Sequence, residues 1–63
     1  MFKSIITFTH DDGTIEYVDS RGSLSHIEEA FILPTNLATT LAKAWNKECK
    51  YGEYDSLSVD LVK

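Results

Sequence analysis

The chain has almost none of the staples that hold small domains together. It contains one cysteine, Cys49, so no disulfide can form within it. Its two histidines, His10 and His26, have no second cysteine to complete a zinc set. No apolar run approaches the roughly 20 residues that a membrane helix needs. The opening stretch "MFKSIITFTH" lacks the long apolar segment and small-residue cleavage site of a secretory signal. These absences lead us to expect a soluble, cytoplasmic protein kept in a reducing compartment, with no metal and no cofactor. At 63 residues it reads as a single small domain. A chain of that length buries only about 60% of its unfolded surface, so a protein partner or a second copy of itself is one way to gain buried area.

Charge is unevenly spread. The net charge is −4, and it resides in the first 36 residues, where Lys3 and Arg21 face Asp11, Asp12, Glu16, Asp19, Glu28 and Glu29. In the remainder, Lys43, Lys47, Lys50 and Lys63 balance Glu48, Glu53, Asp55 and Asp60. An acidic front half repels phosphate, which disfavours a nucleic-acid partner. Three lysines late in one helix also complement its negative end.

Periodicity supplies the elements. "FKSIITFTH" and "TIEYVDS" alternate as strands do, and Asp12-Gly13 between them carries the φ > 0 tolerance of a tight hairpin turn. A loop of even length pairs Phe8 with Tyr17 and His10 with Ile15, setting apolar against apolar. The stretch "HDDGT" is therefore read as a turn. A calcium loop would need further oxygen ligands and a closing glutamate, where this sequence enters a strand. "LSHIEEAFIL" carries two signals, a Ser25/Glu28 capping box and a run of β formers stopped by Pro34. We read it as a third strand. Thr35 is placed to cap a helix whose inward stripe is Leu37, Leu41, Ala44 and Trp45, with Gly52 placed to end it. "SLSVDLVK" alternates as a last strand.

The expected fold is thus α+β and two-layered, a four-stranded mixed sheet in the order 3-2-1-4 packed by one helix, from elements β-β-β-α-β. Phe2, Ile6, Phe8, Ile15, Tyr17, Leu57, Val59 and Leu61 are expected to face Leu37, Leu41 and Trp45. The opposite face would carry Ile5, Thr7, Val18, Ile32 and Val62 among Thr9, Glu16, Ser58 and Asp60.

No residue set here reads as catalytic. His10 has only Ser4 and Ser56 as remote candidate nucleophiles. Cys49 lies near a helix C-terminus, where the dipole disfavours a thiolate. Glu28 and Glu29 do not converge, and no phosphate-loop, dinucleotide or zinc-protease motif occurs. The mixed outer face is better explained as a docking surface. Ile5, Thr7, Thr9, Glu16, Val18 and Val62 are the expected partner-binding residues. In size, acidity and lack of catalytic groups, the chain is similar in type to the small proteins with which phages and mobile elements block larger cellular proteins, a likeness that rests on no particular residue. The expectation is a non-enzymatic protein-binding module of inhibitor type. The alternatives are a structural homodimer, or a nucleic-acid module using Lys43, Lys47 and Lys50 with Tyr51 or Tyr54.

The turn reading has a direct test. Gly13→Val should destabilise the fold by about 1 kcal/mol or more, because a β-branched residue resists positive φ. Asp12→Asn should leave the urea midpoint almost unchanged, since Asn serves the same turn.

Overall fold

A computed structural model describes residues 2–51 and 57–62. One helix packs on a curled antiparallel sheet, so the fold is α+β as expected. Strand β1 (Lys3–Thr9) is central, followed by β2 (Ile15–Val18), the two-residue β3 (Leu24–Ser25), a 3₁₀ turn at Ile27–Glu29 and the two-residue β4 (Leu33–Pro34). Helix α1 (Thr35–Glu48) and strand β5 (Leu57–Leu61) complete it. Strands β3, β2 and β1 lie in that order, with the C-terminal strand beside β1.

Both edges of β1 are occupied. Phe8 pairs with Glu16 of β2 on one side and with Leu57 of β5 on the other. Ser4 likewise lies between Leu33 of β4 and Leu61 of β5. Strands β2 and β4 therefore share one edge of β1, with β5 along the other. The chain from Phe31 to Pro34 enters where β2 leaves off, and the Phe31 N–H donates to the Val18 carbonyl at 3.0 Å.

The C-terminal strand runs antiparallel to β1, not parallel, so the sheet is not mixed. The segment 24–33 explains the change. It is not one strand but two short ones joined by the 3₁₀ turn, and that turn adds one reversal of direction. The capping box is not formed: His26 precedes the 3₁₀ turn and no side chain caps it. The segment thus divides between a short helical turn and short strands, each over a few residues.

The first hairpin also differs in length. Its loop has three residues, Asp11 to Gly13, with His10 N–H donating to Thr14 O at 2.8 Å and Gly13 N–H to His10 O at 2.9 Å. Gly13 has φ +91°. This is a type I turn followed by a left-handed glycine, a common three-residue hairpin loop. Pairing is then Thr7 with Tyr17, Phe8 with Glu16 and Thr9 with Ile15. The one-residue shift exchanges the faces of β2. Val18 enters the core at 4% exposure, whereas Ile15 is 52% exposed on the opposite face.

The same loop occurs again nine residues later. Asp19 N–H donates to Ser23 O at 2.9 Å, Gly22 N–H donates to Asp19 O at 3.0 Å, and Gly22 has φ +81°. Strand β2 is held between two loops of one design.

The core comprises Ile6, Phe8, Val18, Leu33, Ala38, Ala42 and Leu57, with Leu24, Leu41, Trp45, Tyr51 and Val59 packed against it. The helix presents Ala38 and Ala42 to the sheet, and these small side chains allow a close approach. The inward stripe is thus rotated from the expected one: Leu37 and Ala44 are exposed, and Leu41 and Trp45 are half-buried. The helix is preceded by Pro34, and Thr35 is its first residue rather than its cap. The Thr35 hydroxyl shares a 2.7 Å hydrogen bond with that of the fully buried Ser4. At the other end, the Asn46 amide donates to the Leu57 carbonyl (3.2 Å) and accepts from its N–H (3.0 Å), fixing the start of β5.

Gly52, the expected terminator, lies outside the described residues. The helix stops earlier, at Cys49, which is left-handed with φ +51°. Cys49 N–H donates to Asn46 O, and Lys50 N–H to Trp45 O. These are the two bonds of a Schellman motif, built on a non-glycine residue. A Cβ in the left-handed region costs roughly 1–2 kcal/mol. Cys49→Gly should therefore raise unfolding stability by about 1 kcal/mol, read as a higher urea midpoint at unchanged slope. An unchanged midpoint would mean that Cys49 does not hold this conformation.

Candidate functional site

Two surfaces have the makings of a site, one on each side of the sheet. The outer face, away from the helix, is the one that the sequence singles out. Strand β1 contributes Ile5, Thr7 and Thr9 to it, as expected. Ile5 and Thr9 are half-buried, and Thr7 is 4% exposed. The shifted register removes Val18 and Glu16 and supplies Ile15 and Tyr17 in their place, directly opposite Thr9 and Thr7. Both removed residues are corrections to the expected site. Val18 is in the core, and Glu16 lies on the helix side, with its Oε2 3.5 Å from His10 Nε2. Val62, 39% exposed, follows β5 and donates its N–H to Lys3 O. It extends the sheet beyond β5, next to β1's first residue.

Ile32 was expected on this face too. It lies 50% exposed in the link before β4. Ser58 and Asp60 on β5 are exposed, opposite Thr7 and Ile5. The surface that results is apolar at Ile5, Ile15 and Tyr17 and bordered by Asp60 and the Asp11-Asp12 loop.

His10 is engaged locally. Besides Glu16, its ring stands edge-on to Phe8, with centroids 4.7 Å apart. Ser4, one of its two candidate nucleophiles, is bonded to Thr35, and Ser56 lies outside the described residues. Among the described residues, no group of three His, Cys, Asp or Glu side chains is placed to hold a metal ion, and no helix is long and apolar enough to cross a membrane.

The second surface was not legible beforehand. A pocket of about 310 Å³ opens between the second hairpin loop, the Phe31–Leu33 link and the C-terminal half of α1. Its floor is Ile6, Val18 and Leu33, and Phe31, Leu41 and Trp45 form its walls. Arg21 and Lys50 stand at its rim. The Lys50 ammonium lies over Trp45 at 5.1 Å and over Tyr51 at 5.6 Å from the ring centroids. The Tyr51 hydroxyl donates to Gly22 O at 2.7 Å, fastening the helix end to the loop.

Asp19 organises that loop. Its Oδ1 accepts the N–H groups of Arg21 and Ser23, both at 2.9 Å, and its Oδ2 accepts the Ser25 hydroxyl at 2.9 Å. The residue is 5% exposed. The Ser23 N–H bond contributes most to holding its carboxyl down, from 3.8 to about 2, against the opposing effect of burial; Ser25 and Arg21 add to the lowering. Asp12 is lowered as well, through the Thr14 N–H on its carboxylate at 2.9 Å.

A carboxyl whose folded pKa lies below its unfolded one stabilises the fold above the unfolded value. For Asp19 that contribution should be complete above about pH 4 and fade as pH falls toward 2. The stability gap between the native chain and Asp19→Asn, measured by urea unfolding, should narrow across that interval. A gap constant down to pH 2 would mean that the charge contributes nothing there.

No protein-family model matches this chain, and neither the curated proteins nor the solved structures contain a match.

Proposed function

We propose that this protein is a non-enzymatic protein-binding module that docks through the outer face of its sheet. One observation supports the reading above others: the three-residue first loop places Ile15 and Tyr17 beside Ile5, Thr7 and Thr9, on the face opposite the helix. A solvated antiparallel face carries mostly polar groups. An apolar centre containing an aromatic residue, with a polar rim, has the composition of a protein interface. Asp11, Asp12 and Asp60 border it, so the partner surface it suits is basic. Complementary charge there raises the association rate at low salt. The finer reading is an inhibitor of a larger cellular protein, in which a small rigid face covers a functional surface of the target.

The nucleic-acid alternative draws less support. Lys50 and Tyr51 are engaged with Trp45 and Gly22, and Tyr54 lies outside the described residues. A homodimer through the same face remains a second reading, since the Ile15–Tyr17 patch is self-complementary in its apolar character.

Ile15→Lys is the informative variant. Its side chain is half exposed, so the substitution should change folding stability by no more than about 0.5 kcal/mol. Affinity capture from the native host's lysate should recover a defined protein with the native chain and lose it with Ile15→Lys. Sedimentation of the purified chain distinguishes the homodimer, which the same variant would dissociate. Recovery of the same protein by both chains would remove the outer face as the docking surface.

A further inference from the structure

We infer that the pocket between the second hairpin loop and α1 is a binding site for a small amphipathic carboxylate, an apolar alkyl or aryl body with one anionic end. It lies on the helix side of the sheet and is independent of the docking face.

The pocket's shape and lining suit an apolar body. At about 310 Å³ the pocket is at the small end of ligand sites. It exists because β2 and β1 part beyond the Thr7–Tyr17 pair and the link 31–34 fills only the lower part of the gap. Ile6, Val18 and Leu33, each at most 4% exposed, close the bottom. No polar group in that floor would hold an ordered water, and an apolar recess of this kind favours an apolar guest. Phe31, 46% exposed, forms one wall with a large apolar side chain.

The rim's charge suits the anionic end. In a chain of net charge −4, two cations meet at this rim. The Lys50 ammonium is held by two aromatic faces, and its Nζ would lie 3.9 Å from a Cβ at Gly22. This exposed side chain therefore lies beside the loop. The Arg21 side chain is 82% exposed and touches Asp19 only at 3.4 Å through one nitrogen. The Asp19 carboxylate already accepts three shorter bonds from Ser23, Ser25 and the Arg21 backbone, so most of the guanidinium's donors are available. A planar fork and an ammonium at one rim are groups that a carboxylate accepts well. Asp19 sits at the same rim and lowers the local positive charge, which selects a monoanion over a more highly charged group. A carboxylate at the mouth, with its hydrocarbon against Trp45 and Leu41, would suit both the lining and the rim.

Octanoate and 1-octanol test the proposal as a matched pair, used below their aggregation limits. Trp45 is the only tryptophan, so its fluorescence reports directly from the pocket wall. Octanoate should shift that emission saturably, with amide shifts concentrated in residues 18–22, 31–33 and 41–50, and should bind more tightly than octanol. Arg21→Gln with Lys50→Gln alters only exposed side chains, and circular dichroism checks that the variant folds. It should weaken octanoate by at least about tenfold, the loss expected for charge-assisted hydrogen bonds, while leaving octanol unchanged. Equal affinity for acid and alcohol, an unchanged octanoate affinity in the double variant, or no saturable response would each overturn the assignment.

Discussion

Gly13, held at φ +91°, closes the first hairpin over three residues, and the burial of every side chain in β2 follows from that loop length. A two-residue loop would turn Ile15 and Tyr17 toward the helix and leave Val18 outside. The three-residue loop does the reverse. Because β2 has only four residues and ends in a second loop of the same hydrogen-bond pattern, it has no room to recover an alternative register. Gly22 repeats at φ +81° what Gly13 does, and Asp19 binds that second loop with three hydrogen bonds. From there the constraint passes to the helix. Tyr51 donates to the Gly22 carbonyl and packs against Phe8 and Trp45, so the second loop, the central strand and the helix end are joined at one place.

Much of this was legible in the sequence. The helix after Pro34, the strands around Ile6 and Val59, the turn at Asp12-Gly13 and the placing of the last strand beside the first follow from periodicity and turn chemistry. The loop length does not, because Asp-Gly suits both a two- and a three-residue turn. Apolar matching favoured the wrong one. It counted Glu16 as misplaced on the inner face, yet Glu16 lies near the end of the sheet, where it stays partly exposed and meets His10 at 3.5 Å. The parity penalty that should have excluded this register is therefore small. The helix end was missed for a different reason. Glycine is the usual left-handed terminator, but the two bonds of the Cys49 motif and the anchoring of Tyr51 offset the cost of a Cβ in that conformation.

The candidate site divides along the same line. Ile5, Thr7 and Thr9 belong to β1, whose alternation is unambiguous, and they are on the expected face. Val18 and Glu16 belong to β2 and changed sides with the register. The pocket could not be read from sequence at all, since it depends on Arg21, Phe31, Trp45 and Lys50 converging from three separate segments. Helix and sheet thus leave the molecule with two unlike surfaces. One is a sheet face with an apolar centre and acidic border, the other a recess with a basic mouth. Both arise from the point at which β2 departs from β1.

The β1–β2 register at that point is directly measurable. Thr7–Tyr17 and Thr9–Ile15 are the pairs whose backbone polar groups point away from each other, which brings their α-carbons closest. A nuclear Overhauser spectrum of the native chain should show strong contacts between the Hα protons of Thr7 and Tyr17 and of Thr9 and Ile15. Cross-strand contacts that instead pair Phe8 with Tyr17 and His10 with Ile15 would contradict the three-residue loop. Val18 would then return to the outer face, and neither the Ile15–Tyr17 patch nor the pocket floor would exist.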